Sequence, residues 1–188
     1  MKLELNMTVE TIKQLLSFSS QTEARWILFK TACIKKVGER EIELASTDGM
    51  KLLAIRRPLE DGEFIDDNQY AVSLDNLPLK GKHLRYWLQV TDYEPNIACF
   101  SDFTNKFKFP MLDGRYPDYK KLIEELQAGS KATQYSVFQP KVWKPICDVL
   151  GEDAFKTPKT VNHHSFLWEK QVADSHISVI ACSVRQYE

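Results

Sequence analysis

The chain lacks the marks of most common functional classes. No stretch approaches the roughly eighteen apolar residues of a membrane span, and the opening Met1-Lys-Leu-Glu-Leu-Asn has no apolar region long enough for a secretion signal. A cytoplasmic protein is the expectation, and the glycosylation triplet Asn6-Met7-Thr8 then has no consequence. There is no phosphate loop, no H-E-x-x-H, no G-x-S-x-G and no dinucleotide fingerprint, so the usual enzyme motifs are absent. Neither sign of charge dominates. A net charge of −1 excludes a globally basic nucleic-acid binder but leaves room for a local basic face.

Paired cysteines are missing too. Cys33, Cys99, Cys147 and Cys182 are far apart, without a C-x-x-C, and lie among apolar neighbours, which favours small buried hydrophobes. The best metal candidate is the group His163, His164 and His176, with Cys182 possible nearby. Adjacent residues on a strand point to opposite faces, so His163 and His164 do not readily share one ion. The expectation is no metal, no cofactor and no enzymatic activity.

What is present is enough apolar material for a real core: 43% of the 188 residues are hydrophobic and 11% aromatic, which suits one or two compact domains. Leu3 and Leu5 alternate with charge as a strand, and Thr8 reads as the cap of a helix carrying Val9, Ile12, Leu15 and Leu16 on one face. Trp26, Leu28 and Thr31 to Ile34 follow as a strand. A turn around Gly38 leads to a strand over Glu41 to Ala45, Thr47-Asp48-Gly49 turns again, and Met50 to Arg56 returns. Residues 60 to 69 read as a solvated acidic loop.

Tyr70 to Val72 restarts the cycle, with a helix expected over Leu74 to Leu84 that starts or bends at Pro78, then strands near 84–92, 96–102 and 105–112. The last of these, with Phe107, Phe109 and Met111 between lysines, ends at Asp113-Gly114 and Tyr116-Pro117. Tyr116, Pro117, Tyr119, Leu122 and Ile123 then offer an apolar surface outside the sheet. After a linker at Leu126 to Lys131, a third cycle has a strand over Gln134 to Phe138 and a helix begun by Pro140, bent at Pro145 and stopped by Gly151. Strands near Thr160–Trp168 and Ile177–Val184 close it. Strand, helix, then several strands thus recurs about three times, a pattern for an α+β fold of antiparallel sheets with helices on one face.

Three stretches carry a resemblance: Leu44-Ala-Ser-Thr-Asp-Gly-Met-Lys-Leu-Leu-Ala-Ile, Leu112-Asp-Gly-Arg-Tyr-Pro-Asp-Tyr-Lys-Lys-Leu-Ile, and Ile177-Ser-Val-Ile-Ala-Cys-Ser-Val-Arg. In this order they resemble the bacterial DNA polymerase III beta subunit family, the sliding clamps. The likeness implies a clamp-like domain of two helix-plus-strands units over residues 1–127, resembling the clamp middle domain. It implies a partial domain of one unit over 128–188, resembling the second half of the last.

By the same likeness a hydrophobic pocket for short clamp-binding peptides comprises Thr47, Gly49, Met50, Lys51 and Leu52, then Pro117, Lys121 and Leu122, then Ile180, Cys182, Ser183, Val184 and Arg185. The competing reading makes these residues interdomain core. Where the family ends on a methionine-proline-methionine, this chain has Cys182-Ser183-Val184. Phosphate contact in a ring lumen falls to Lys80, Lys82 and Arg85 and to Lys141 and Lys144 on the inward helices. The implied function is a non-catalytic processivity factor. It works on double-stranded DNA as a homo-oligomer, with a polymerase or other peptide-bearing protein as partner; twelve units per ring make four chains. The alternative is a small adaptor that captures clamp-binding motifs without encircling DNA.

Overall fold

A computed structural model describes residues 2–20, 27–79, 85–102, 104–112, 116–132, 138–161 and 164–183. Among these, thirteen strands form two antiparallel sheets, accompanied by three α-helices. In the first sheet β5 (Phe64–Ile65), β1 (Leu3–Thr8), β7 (Arg85–Val90), β8 (Ile97–Ser101) and β9 (Lys106–Pro110) lie side by side in that order. β1 and β8 alternate between buried and half-buried residues, and β7 between buried residues and more accessible ones, as befits a sheet covered on one face.

The second sheet runs β10 (Ser130–Lys131), β11 (Lys159–Thr160), β12 (Ser165–Val172), β13 (Ser175–Cys182), β4 (Lys51–Pro58), β3 (Glu41–Thr47), β2 (Thr31–Gly38) and β6 (Gln69–Ser73). Its central strands do not alternate. Thr31–Ile34, Ile42–Thr47, Lys51–Ile55 and Ile177–Ala181 are buried without interruption. Both of its faces are therefore covered.

One face meets the main core. Val9, Ile12, Leu15 and Phe18 of α1 (Val9–Phe18), and Val142, Ile146, Val149 and Leu150 of α3 (Pro140–Leu150), pack with Ile34, Leu44, Leu53, Ile55 and Val179 of the large sheet and with Leu3, Leu5, Tyr86, Leu88 and Phe100 of the small one. Thr8 caps α1, its Oγ1 accepting from the Thr11 N–H at 3.1 Å, and Pro140 opens α3 while Gly151, at φ 60°, closes it. Pro145 sits inside α3 and the helix continues to Leu150. Phe138 stacks on Trp143 at 5.7 Å and meets Phe166 and Trp168 edge-on.

The strand order is not the chain order. β1 leaves the first cycle to pair with β7, while β6 leaves the second to pair with β2, so the two cycles exchange their opening strands. The last hairpin, β12–β13, then docks against β4 of the first cycle.

Four expectations need correction. Residues 74–79 form a turn without a helix: Asn76 is at φ 67°, Leu74 and Leu77 are buried, and the Pro78 carbonyl accepts from the Tyr86 hydroxyl at 2.7 Å; residues 80–84 lie outside the described set. Ile27–Lys30 is a 3-10 turn, so Leu28 precedes the strand, and Trp26 lies outside the described residues. The acidic run is not all solvated. Ile65 joins the core through β5, and the Glu63 side chain is completely buried, held by two hydrogen bonds from Arg57 at 2.6 and 2.7 Å and one from the Asn6 N–H at 2.7 Å. The last hairpin lies farther along β12 than expected, turning through Ala173 at φ 49°. The expected strand over Gln134 to Phe138 and the Asp113-Gly114 turn fall outside the described residues, except for Phe138.

The second face of the large sheet is covered by the segment after β9. Leu112 donates its N–H to the Ala71 carbonyl, and the chain then crosses to α2 (Lys120–Gln127). Gly129 lets it return to the sheet. A Cβ there would lie 2.5 Å from the Thr160 carbonyl oxygen, so Gly129→Ala is expected to destabilise by about 1–3 kcal/mol in urea unfolding, by forcing β10 away from β11.

Candidate functional site on the outer face

Side chains on this outer face line up in rows across the strands. The first row is Leu167–Ile180–Leu52–Thr47, and the next is Glu169–Ser178–Ala54–Ala45–Cys33–Ala71. The small residues of the second row leave room for bulk from outside. Tyr116 and Tyr119 fill it, their rings edge-on at 6.1 Å, and Leu126 completes the buried cluster with Leu112, Leu122 and Ile123 half-buried at its margin.

A third row holds charge: His176–Arg56–Glu43–Lys35. The Tyr119 hydroxyl donates to Glu43 at 2.8 Å, Lys35 reaches the same carboxylate at 3.0 Å and Arg56 at 3.1 Å. The Lys35 ammonium also lies 4.5 Å above the Tyr119 ring. Burial pushes the Glu43 carboxyl up, but Lys35, Tyr119 and Arg56 together hold it below the ordinary carboxylate value. Burial raises both tyrosine hydroxyls and pushes the Cys33 thiol up to about 12, so Cys33 acts as packing and not as a nucleophile.

The bend before β4 is fastened by its own side chains. The Asp48 carboxylate accepts from the N–H groups of Met50 and Lys51 at 2.9 and 3.0 Å and pairs with the Lys51 ammonium at 2.6 Å. Thr47 Oγ1 donates to the Lys51 carbonyl and accepts from the Gly49 N–H, with Gly49 at φ 89°. Cys182 donates its N–H to the Met50 carbonyl at 2.9 Å, bringing the end of β13 to this bend.

The three stretches singled out in the sequence therefore meet. Thr47, Leu52, Ile180 and Cys182 share the outer face, and Leu122 packs at its margin with Pro117 half-buried nearby. Other members point elsewhere. Lys51 lies on the helix side, its ammonium 5.6 Å from the Phe18 ring; Met50 packs against the main core; Gly49 is exposed; and Lys121 is exposed beside Glu125. Ser183 follows β13 and donates its N–H to the His164 carbonyl. Val184 and Arg185 lie outside the described residues.

Leu167 and Glu43 were absent from the sequence-derived set. Leu167 needs the β12 register, which spacing does not give, and Glu43 alternates with Ile42 and Leu44 as a solvent-facing residue would, so nothing in its spacing marks its face as covered.

Of the basic residues, Lys141 and Lys144 are exposed on α3, which packs beside α1 and its exposed Lys13; Asp148 pairs with Lys144 at 2.7 Å. Arg85 does not join them, because it alternates with buried Tyr86 and so faces away from the core, 3.5 Å from Glu60. Lys80 and Lys82 lie outside the described residues, as does His163. His176 stands six residues along β13 from Cys182, roughly 20 Å at strand spacing, so these two cannot share an ion. Among the described residues no helix is long and apolar enough to cross a membrane.

The arrangement defines a class: this is the DNA sliding-clamp fold. The chain is similar to the DNA polymerase III beta chain of Streptococcus pneumoniae (TM-score 0.64, 14% identity, 99% of this chain and 66% of that one) and to that of Thermotoga maritima (TM-score 0.62, 10% identity, 98% and 65%). It is also similar to the Helicobacter pylori beta clamp bound to a DNA ligase peptide (TM-score 0.61, 11% identity, 98% and 67%). Another match is a structure of the C-terminal region of FEN-1 bound to A. fulgidus PCNA (TM-score 0.61, 12% identity, 99% and 100%). The chain thus spans about two thirds of the length of the bacterial subunits it matches. No protein-family model and no curated protein matches the sequence.

Proposed function

We propose that the chain is a non-catalytic, cytoplasmic processivity factor of the sliding-clamp type, which tethers a polymerase or partner proteins to DNA and takes their short clamp-binding peptides on its outer face. The observation that carries this reading is the pairing of β13 with β4, Ile180 opposite Leu52, beneath the segment bearing Leu122. That surface suits leucine or phenylalanine anchors, each worth about 1.5–3 kcal/mol when fully buried. The solved clamp structures bearing a DNA ligase peptide or the FEN-1 C-terminal region support a peptide as the occupant.

Residues 1–127 then form a domain of two exchanged units and 128–188 a partial domain of one, and four such chains supply twelve units to a ring. In the ring α1 and α3 face duplex DNA, with Lys141 and Lys144 at the phosphates. Light scattering with and without primed circular DNA tests this: a stable oligomer retained on the circle is expected. The double variant Lys141→Glu/Lys144→Glu is expected to weaken retention and to flatten the slope of log affinity against log salt by about 1.8, for two lost phosphate contacts. A monomer indifferent to DNA overturns the ring and leaves the adaptor, a reading that the Asp148 partner of Lys144 favours.

A further inference from the structure

Beside the proposed peptide notch at Leu52, Leu122 and Ile180, and sharing Ala54 and Ile123 with the apolar cluster around it, a cleft of about 150 Å³ lies between α2 and the outer face of the large sheet. Its sheet side is made by Arg56 and His176, directly opposite one another across β4 and β13, and by Ser178 one step along, opposite Ala54. Cross-strand neighbours are about 5 Å apart at Cβ, and the next pair on the same face is about 7 Å away, so these three side chains converge on one small volume.

Each brings unused hydrogen-bonding capacity. Ser178 is 4% exposed and lines the cleft, and its hydroxyl has no partner among the described residues. Arg56 spends one terminal nitrogen on Glu43, leaving the rest of its planar donor fork free among the described residues. His176 uses Nε2 toward Glu169 at 3.2 Å, which leaves Nδ1.

The carboxylates around the cleft are already engaged. Glu43 is held by Lys35, Arg56 and Tyr119, Glu169 by Gln127 and Lys159, and Glu124 stands 3.9 Å from Lys120. Among the residues that line the cleft itself Arg56 and Lys120 balance Glu43 and Glu124, while Lys35 and Lys159 pair with the carboxylates at its edge.

We propose that this cleft binds a small oxyanion, a phosphate or a short carboxylate, with the Arg56 guanidinium and the Ser178 hydroxyl donating to its oxygens and His176 closing one side. The volume suits a group of that size and not a nucleotide. Because Lys120, Ile123 and Gln127 of α2 line the cleft, the bound ion also draws this helix onto the sheet. The inference is independent of whether the protein encircles DNA.

Two-dimensional amide NMR of the full chain, titrated separately with inorganic phosphate and with malonate, tests it. Saturable millimolar shifts on β4, β13 and α2 are expected with at least one of the two, and which one binds distinguishes phosphate from carboxylate. Ser178→Ala breaks no hydrogen bond among the described residues, so it is expected to leave the melting temperature unchanged while weakening binding about fivefold, and Arg56→Gln is expected to weaken binding by a similar factor. Absence of saturation with both ions, or equal affinity in both variants and the unaltered chain, overturns the proposal.

Discussion

Glu43→Ala is expected to lower the free energy of unfolding by about 3 kcal/mol, because it removes the one carboxylate that two cations and a phenol share beneath the covering segment. Glu43 is 4% exposed, and without it the Lys35 ammonium is left over the Tyr119 ring with no counter-ion. Tyr119→Phe loses only the hydrogen bond to that carboxylate and is expected to cost about 1.5–2 kcal/mol. The two losses should not add in a double-mutant cycle, since both residues belong to one network. Urea unfolding measures all three; a loss below about 1 kcal/mol for Glu43→Ala would show the network to be idle.

The same network sets an acid limit. The Glu43 carboxyl titrates below its ordinary value in the folded chain, so its stabilising contribution is fully present above the unfolded value, near 4.3, and fades as the pH falls through the folded one. Glu63 and Glu169 are lowered as well and act in the same direction. The stability gap between the unaltered chain and Glu43→Gln is therefore expected to be largest near neutrality and to narrow as the pH falls below the unfolded value.

The second large effect concerns the notch. Leu122→Asp is expected to weaken binding of a fluorescent clamp-binding peptide about 100-fold, since it removes an apolar anchor site and sets a carboxylate at the margin of the buried cluster that includes Leu52 and Ile180. Leu122 is only half-buried, so the variant should fold, which circular dichroism and an unchanged light-scattering mass would verify. Deleting Val184 to Glu188 is expected to have the same effect on binding. Unchanged affinity in both would remove the notch from the function.

Local structure was legible where one residue type dictates it. Thr8 as a cap, Pro140 and Gly151 as the ends of α3, and the hairpin strands around Gly38 follow from capping and turn chemistry alone. The strand near 105–112 was legible through its alternation of Phe107, Phe109 and Met111 with lysines, and β7 and β8 beside it alternate in burial because the small sheet is covered on one face only. Alternation fails in the large sheet. There Ile42 to Thr47 is buried at every position, so periodicity could not reveal that Glu43 and Ala45 look outward under a covering segment. Over the described residues 74–79 the expected helix shows the opposite failure: Leu74 and Leu77 have helical spacing, but Asn76 and Pro78 impose a turn that buries both leucines just as well.

The candidate site divides along the same line. The three segments carry recognisable motifs, and the structure brings them together. Which side chains face the notch depends on strand parity, and Lys51 fell on the wrong side for that reason. Leu167 depends on a hairpin register set by the Ala173 turn, which carries neither glycine nor proline as a signal.

The docking of β13 against β4 has a further consequence for synthesis. During translation, β4 leaves the ribosome some 120 residues before its neighbour does, and until then one border of the nascent sheet presents unpaired amides and carbonyls. The chain can settle its first two cycles early, but that border is sealed only when the hairpin β12–β13 arrives, so the pairing that completes the sheet is also the one with the longest wait.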